Sequence, residues 1–129
     1  RRAKATSNIC TNEALCALGS LTYLCLMGEQ GMAEVARLCH AKAAYARERL
    51  QAIPGVRARF GGPVFNEFVV DLPRPAADVV NELINHGFAA GFPLSRYYQG
   101  MDNSLLIAVT EKRTKAEIGM LAETLEGLL

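Results

Sequence analysis

The 129-residue chain is 50% hydrophobic and 21% charged, the composition of one globular domain and not of a disordered, collagenous or coiled-coil segment. Its 14 basic and 13 acidic side chains leave a formal charge of +1, which lacks the basic footprint of a nucleic-acid binder. At this length roughly two thirds of the unfolded surface can be buried, so a core forms without disulfide or metal support.

The chain opens on Arg, and Arg1, Arg2 and Lys4 all precede the first acid, Glu13. This start reads as the interior of a longer protein from which one domain, residues 1–129, has been cut. Residues 14–28 carry no charge, but Gly19, Ser20, Thr22 and Tyr23 dilute the run. It also falls short of the ~20 apolar residues that cross a bilayer, so a buried helix is expected there and no membrane span. Cys10, Cys16, Cys25 and Cys39 contain no C-x-x-C pair and have only His40 nearby, a pattern that predicts no zinc site. The cysteines read as small apolar residues in a reducing cytoplasm.

In chain order, Ala14 to Met27 predicts a helix apolar on nearly all sides, capped by Thr11 or Asn12 and stopped by Gly28. From Met32 to Ala52 an apolar stripe of Val35, Leu38, Cys39, Ala46 and Leu50 opposes charged positions, which predicts a surface helix ended by Pro54-Gly55. Val56 to Phe60 and Val64 to Leu72, joined at Gly61-Gly62-Pro63, predict a β-hairpin. A short helix follows over Val79, Val80, Leu83 and Ile84, with Gly87 at its C-terminus and a brief strand at Phe88 to Gly91.

Phe92 to Asn103 is a polar, aromatic loop, Ser104 to Thr110 a strand, and Thr114-x-x-Glu117 a capping box for a last helix with Ile118, Leu121, Leu125 and Leu128 inward. The order predicts an α+β fold in which helices cover one face of a small antiparallel sheet.

No glycine-rich phosphate loop, nucleophile elbow or metal-spaced cluster stands in the sequence. The residues alone therefore leave a ligand-sensing or subunit-interaction module open beside an enzyme fragment. The densest polar run, Arg2 to Asn12, sits at the mouth of the first helix, where an N-terminus attracts anions; a linker with capping residues is the other reading. Asn66-Glu67 puts one polar side chain on each face of its strand. Arg96, Tyr97 and Tyr98 combine cation and phenols as interfaces do, although a loop packed by its own aromatics reads the same way. Glu111-Lys112-Arg113 reads as a solvated turn, and His40 and His86 as structural or solvated residues.

The run Arg1-Arg2-Ala3-Lys4-Ala5-Thr6-Ser7-Asn8-Ile9-Cys10-Thr11 resembles R-R-[DE]-K-A-T-S-N-I-C-T of the decarboxylating glycine dehydrogenases, the P-proteins of the glycine cleavage system. The resemblance continues through Leu38-Cys39-His40-Ala41-Lys42-Ala43, Gly62-Pro63-Val64-Phe65-Asn66-Glu67-Phe68-Val69 and Val109-Thr110-Glu111-Lys112-Arg113-Thr114-Lys115. Ala3 departs from it, where the family carries an acid.

The resemblance implies the C-terminal small domain of a first subunit, of the fold-type I pyridoxal-phosphate enzymes, with residues 1–12 leading in from a large domain. It implies an enzyme that decarboxylates glycine and passes the aminomethyl group to the lipoyl arm of H-protein, with a second subunit as partner. Pyridoxal phosphate is then held by that partner and the Schiff-base lysine has no counterpart here, so no catalytic residue is expected in this chain. The resemblance points to Arg2, Lys4, Thr6, Ser7 and Asn8 as positioning an active-site or interface anion, and to Arg96 as a lesser carboxylate contact.

Overall fold

The structure, a computed structural model, describes residues 13–129. The chain divides into two compact units, residues 1–34 and residues 35–129.

Helix α1, Glu13–Gln51, runs through both units and is interrupted at Gly28, whose φ of 63° and ψ of −177° are not helical. A φ in the left-handed region is one that glycine adopts without the Cβ clash other residues meet. In the first unit the described residues other than Gly28 are helical and, apart from the partly buried Met27 and Gly31, exposed, Leu15 and Leu26 at 73% and 81%. The uncharged composition that predicts a buried helix thus meets an open surface in this chain.

The second unit carries the core. The remainder of α1 ends at Gln51, just before Pro54-Gly55, and buries Cys39, Ala43, Ala46 and Leu50, a stripe at the three- and four-residue spacing of a helix face. Strand β1, Arg57–Ala58, pairs antiparallel with β2, Glu67–Asp71. Helix α2, Ala76–Asn85, buries Ala76, Val79 and Leu83. It closes in a Schellman turn: Phe88 N–H donates to Leu83 O at 2.9 Å and Gly87 N–H to Ile84 O at 2.9 Å, with Gly87 at φ 82°. Strand β3, Phe92–Pro93, leads into a single 3₁₀ turn, Leu94–Arg96. Strand β4, Ser104–Ala108, and helix α3, Lys115–Leu128, complete the chain.

The sheet order is β1-β2-β4-β3 with every neighbour antiparallel. On one face, Phe68, Val70, Leu105 and Ile107 meet the buried stripes of α1, α2 and α3 in a single cluster. Each of the fully buried Leu50, Leu83, Leu105 and Leu125 stabilises the fold by roughly 1.5–3 kcal/mol relative to exposure. The α+β architecture with helices on one sheet face is therefore the one the sequence predicts.

Strands β1, β2 and β4 are each shorter than the spans expected for them, and two departures have a structural cause. The strand expected at Phe88 to Gly91 forms at Phe92–Pro93 instead, because the Schellman turn still holds Phe88 and pairing with Leu106 begins only at Phe92. Pro93 is tolerated there because β3 is an edge strand. The hairpin connection is also longer than a tight turn, since β1 ends at Ala58 and β2 starts at Glu67.

Among the described residues the one buried polar side chain, Ser104, donates to Asp71 Oδ1 at 2.6 Å, and Arg59 donates to the same carboxylate at 3.1 Å. Among the described residues no buried side-chain nitrogen or oxygen lacks a partner.

Candidate functional site

Arg2, Lys4, Thr6, Ser7 and Asn8 lie outside the described residues. Arg96 is described. It ends the 3₁₀ turn, exposed, with its Cζ 5.5 Å from the centroid of the Phe92 ring. Phe92 in turn stacks on Tyr97 at 5.7 Å and 22° between planes. Asn66 is half-buried and Glu67 exposed, so neither is an inward-facing charge.

Three of the sequence blocks that carry the family resemblance converge on one stretch of α1. On one side His40 Nδ1–H donates to Val64 O at 2.7 Å, and Arg47 donates to Gly62 O at 2.8 Å and Phe60 O at 3.0 Å. Positions 40 and 47 are seven apart and share a helix face. On another side the Cys39 thiol donates to Glu111 Oε2 at 3.4 Å and Lys42 Nζ donates to Glu111 O. Lys115 stands 5.3 Å from the centre of the Tyr45 ring. The helix is thus clasped between the β1–β2 connection and the β4–α3 connection by polar contacts that reinforce its apolar underside.

The second connection is itself rigid. Glu117 N–H donates to Thr114 Oγ1 at 3.1 Å and Thr114 N–H donates to Glu117 Oε2 at 2.7 Å, which is the reciprocal capping box the sequence predicts. The Thr114 N–H and then the Thr114 hydroxyl, both donating to Glu117 Oε2, hold the Glu117 carboxyl below its usual range, with Arg113 nearby. Glu111 is also held below its usual range, first by the Cys39 thiol and then by its own amide N–H, against partial desolvation. Glu111 is therefore not merely a solvated turn residue. The sequence offered a signal for it only in combination, because Cys39, Lys42 and Glu111 fall in matched blocks far apart along the chain.

Below this clasp a cavity of about 470 Å³ opens between Leu50, Phe88, Ile107, Val109 and Leu121, with Arg113 and Glu117 among its polar lining. Those two pair at 3.5 Å. No lysine lines the cavity, so it has no amine to bind an aldehyde cofactor covalently. Lys42 is engaged with Glu111 and Lys115 with Tyr45. The lining of this cavity thus does not fit a complete pyridoxal-phosphate site. Among the described residues no cluster of three or more histidines, cysteines or carboxylates forms a metal centre, and no helix is long and apolar enough to cross a membrane.

A family model described as "Glycine cleavage system P-protein" matches residues 1–125. Curated relatives named "Probable glycine dehydrogenase (decarboxylating) subunit 1" are 54% identical in Nitratidesulfovibrio vulgaris and 54% in Geotalea daltonii, over 100% of this chain and 29% of each relative. The same-named protein of Moorella thermoacetica is 51% identical over the same shares. A crystal structure of glycine decarboxylase (P-protein) of the glycine cleavage system, in inhibitor-bound form, superposes with a TM-score of 0.87 at 38% identity, covering 100% of this chain and 29% of that one. The chain spans under a third of the length of these proteins. On the agreement of sequence blocks, fold and family match, the chain belongs to the glycine cleavage system P-protein family.

Proposed function

We propose that this chain is the C-terminal domain of a glycine dehydrogenase (decarboxylating) first subunit, and that the whole enzyme decarboxylates glycine and transfers the aminomethyl group to the lipoyl arm of H-protein. The observation that carries this reading is the match of the P-protein family over residues 1–125. Pyridoxal phosphate supplies the electron sink for losing carbon dioxide when bound, and the protein supplies position and electrostatics. On this reading a second subunit holds the cofactor, and the enzyme works in the cytoplasm.

The contribution of this chain is positioning. Arg2 and Lys4 place positive charge, and Thr6, Ser7 and Asn8 place hydrogen-bond donors, where an anion at the active site or subunit interface is bound. Arg96 offers a third cation, of the type that pairs with a carboxylate.

A second reading, a non-catalytic subunit-interaction module, is favoured by the exposed leucines of residues 13–27, which supply apolar surface for another chain. The two readings separate in one experiment. Full-length subunit carrying Arg2→Gln and Lys4→Gln is mixed with its partner subunit, and glycine–bicarbonate exchange is measured beside subunit assembly. Exchange falling at least tenfold with assembly intact supports the positioning role; unchanged exchange overturns it. Loss of assembly alone favours the interaction module.

A further inference from the structure

The 3₁₀ turn after β3 presents Arg96 in an unusual setting. From Leu83 to Met101 the sequence contains no acidic residue, and Arg96 is its only Lys or Arg. Among the described residues Arg96 has no ion pair or hydrogen-bond partner; its contact is the Phe92 ring at 5.5 Å. A guanidinium held over an aromatic face keeps its in-plane N–H donors free for a carboxylate.

The surroundings are aromatic, exposed and fixed. Tyr97 is 78% and Tyr98 56% exposed, and Phe92 stacks on Tyr97. Backbone bonds from Tyr97 N–H and Tyr98 N–H to Leu94 O, at 3.1 and 2.9 Å, close the turn over the buried Leu94. Phe92 pairs with Leu106, which anchors the turn to the sheet. A turn so held presents its side chains without a large ordering cost on binding.

We infer that Arg96, Tyr97 and Tyr98 form a docking surface for an acidic segment of a partner protein. Tyrosine and arginine are the side chains enriched where protein contacts concentrate their binding energy. Tyrosines this open do not wall Arg96 as a concave small-molecule site requires. A free carboxylate would gain one exposed ion pair, which solvent screens to little net affinity. A protein segment adds burial of both phenol rings around that pair. Unbalanced positive charge in this stretch selects a carboxylate-bearing partner over a basic or neutral one. The inference is independent of glycine decarboxylation, because binding is read without substrate or cofactor.

The test uses the full-length chain, fluorescein-labelled hexaglutamate and fluorescence anisotropy at low ionic strength. Hexaglutamate should bind, hexaglutamine should not, and acetate at matched carboxylate concentration should not displace the bound peptide. Arg96→Gln and, separately, Tyr98→Ala should each weaken binding roughly tenfold with an unchanged thermal midpoint. Tyr98 makes no ring stack, so its variant reads docking even if Arg96→Gln perturbs the turn. Absence of hexaglutamate binding, equal affinity in wild type and both variants, or full displacement by acetate would each overturn the docking surface, the last in favour of a small-carboxylate site.

Discussion

The Cys39 thiol donates to the Glu111 carboxylate across 72 positions of sequence, at 3.4 Å. With Lys42 donating to the Glu111 main-chain carbonyl, one residue of the β4–α3 connection receives two side chains from successive turns of α1. The hydrogen bond from the Cys39 thiol, followed by Glu111's own amide N–H, explains why Glu111 stays ionised more readily than a free carboxylate, against the opposing effect of its partial desolvation.

This bond predicts a pH dependence. A carboxyl whose folded value is lowered stabilises the fold above its unfolded value, about 4.3, and loses that contribution as pH falls through the lower folded value. Glu111→Gln should therefore lower the thermal midpoint at neutral pH and lose less on acidification to about pH 3. Parallel pH profiles for the two proteins would show that Glu111 contributes nothing through its charge.

Gly91 predicts a backbone constraint on β3. A Cβ there would lie 2.3 Å from Leu106 O, a main-chain atom that cannot swing aside. Gly91→Ala should destabilise by about 1–3 kcal/mol in urea unfolding, the usual cost of overpacking. Gly61→Ala, with nothing within 4 Å, should stay within about 0.5 kcal/mol. Equal effects at the two positions would mean that β3 shifts freely along β4.

Adjacent residues of α2 separate core from surface. Leu83 is 0% exposed and Ile84 56%. Leu83→Ala should cost about 2–5 kcal/mol, and Ile84→Ala much less, by chemical denaturation. Similar costs at both would indicate that Ile84 is buried by another molecule in solution.

How far the sequence disclosed this molecule depended on the range of the signal. Pro54-Gly55, Gly87 and the Thr114–Glu117 box act locally, and each marks an element end in the structure near its expected place, while Gly28, expected to stop a helix, interrupts α1 as a kink. The strand before Pro93 was displaced because its position depends on Leu106 O, which is distant in sequence. Likewise the Gly61-Gly62-Pro63 turn broadens because Phe60, Gly62 and Val64 give their carbonyls to Arg47 and His40 of α1 instead of to a short ladder. Arg96 was legible as a cation among phenols, but not its seat on Phe92, which requires the 3₁₀ turn. The clasp at Glu111 was invisible to periodicity, since its donors are single polar residues on an otherwise ordinary helix.

Four of the clasp's acceptors are main-chain oxygens, at Phe60, Gly62, Val64 and Glu111. Every amino acid carries that same oxygen, so Phe60 and Val64 can exchange side chains and still offer the same grip, whereas Gly62 is held to glycine by its φ of 95°. The donors have no such latitude: only a long cation reaches as Lys42 and Arg47 do, and only a ring nitrogen donates as His40 does. The specificity of the clasp is therefore written on the helix, and the connections supply geometry that their own side-chain chemistry scarcely records.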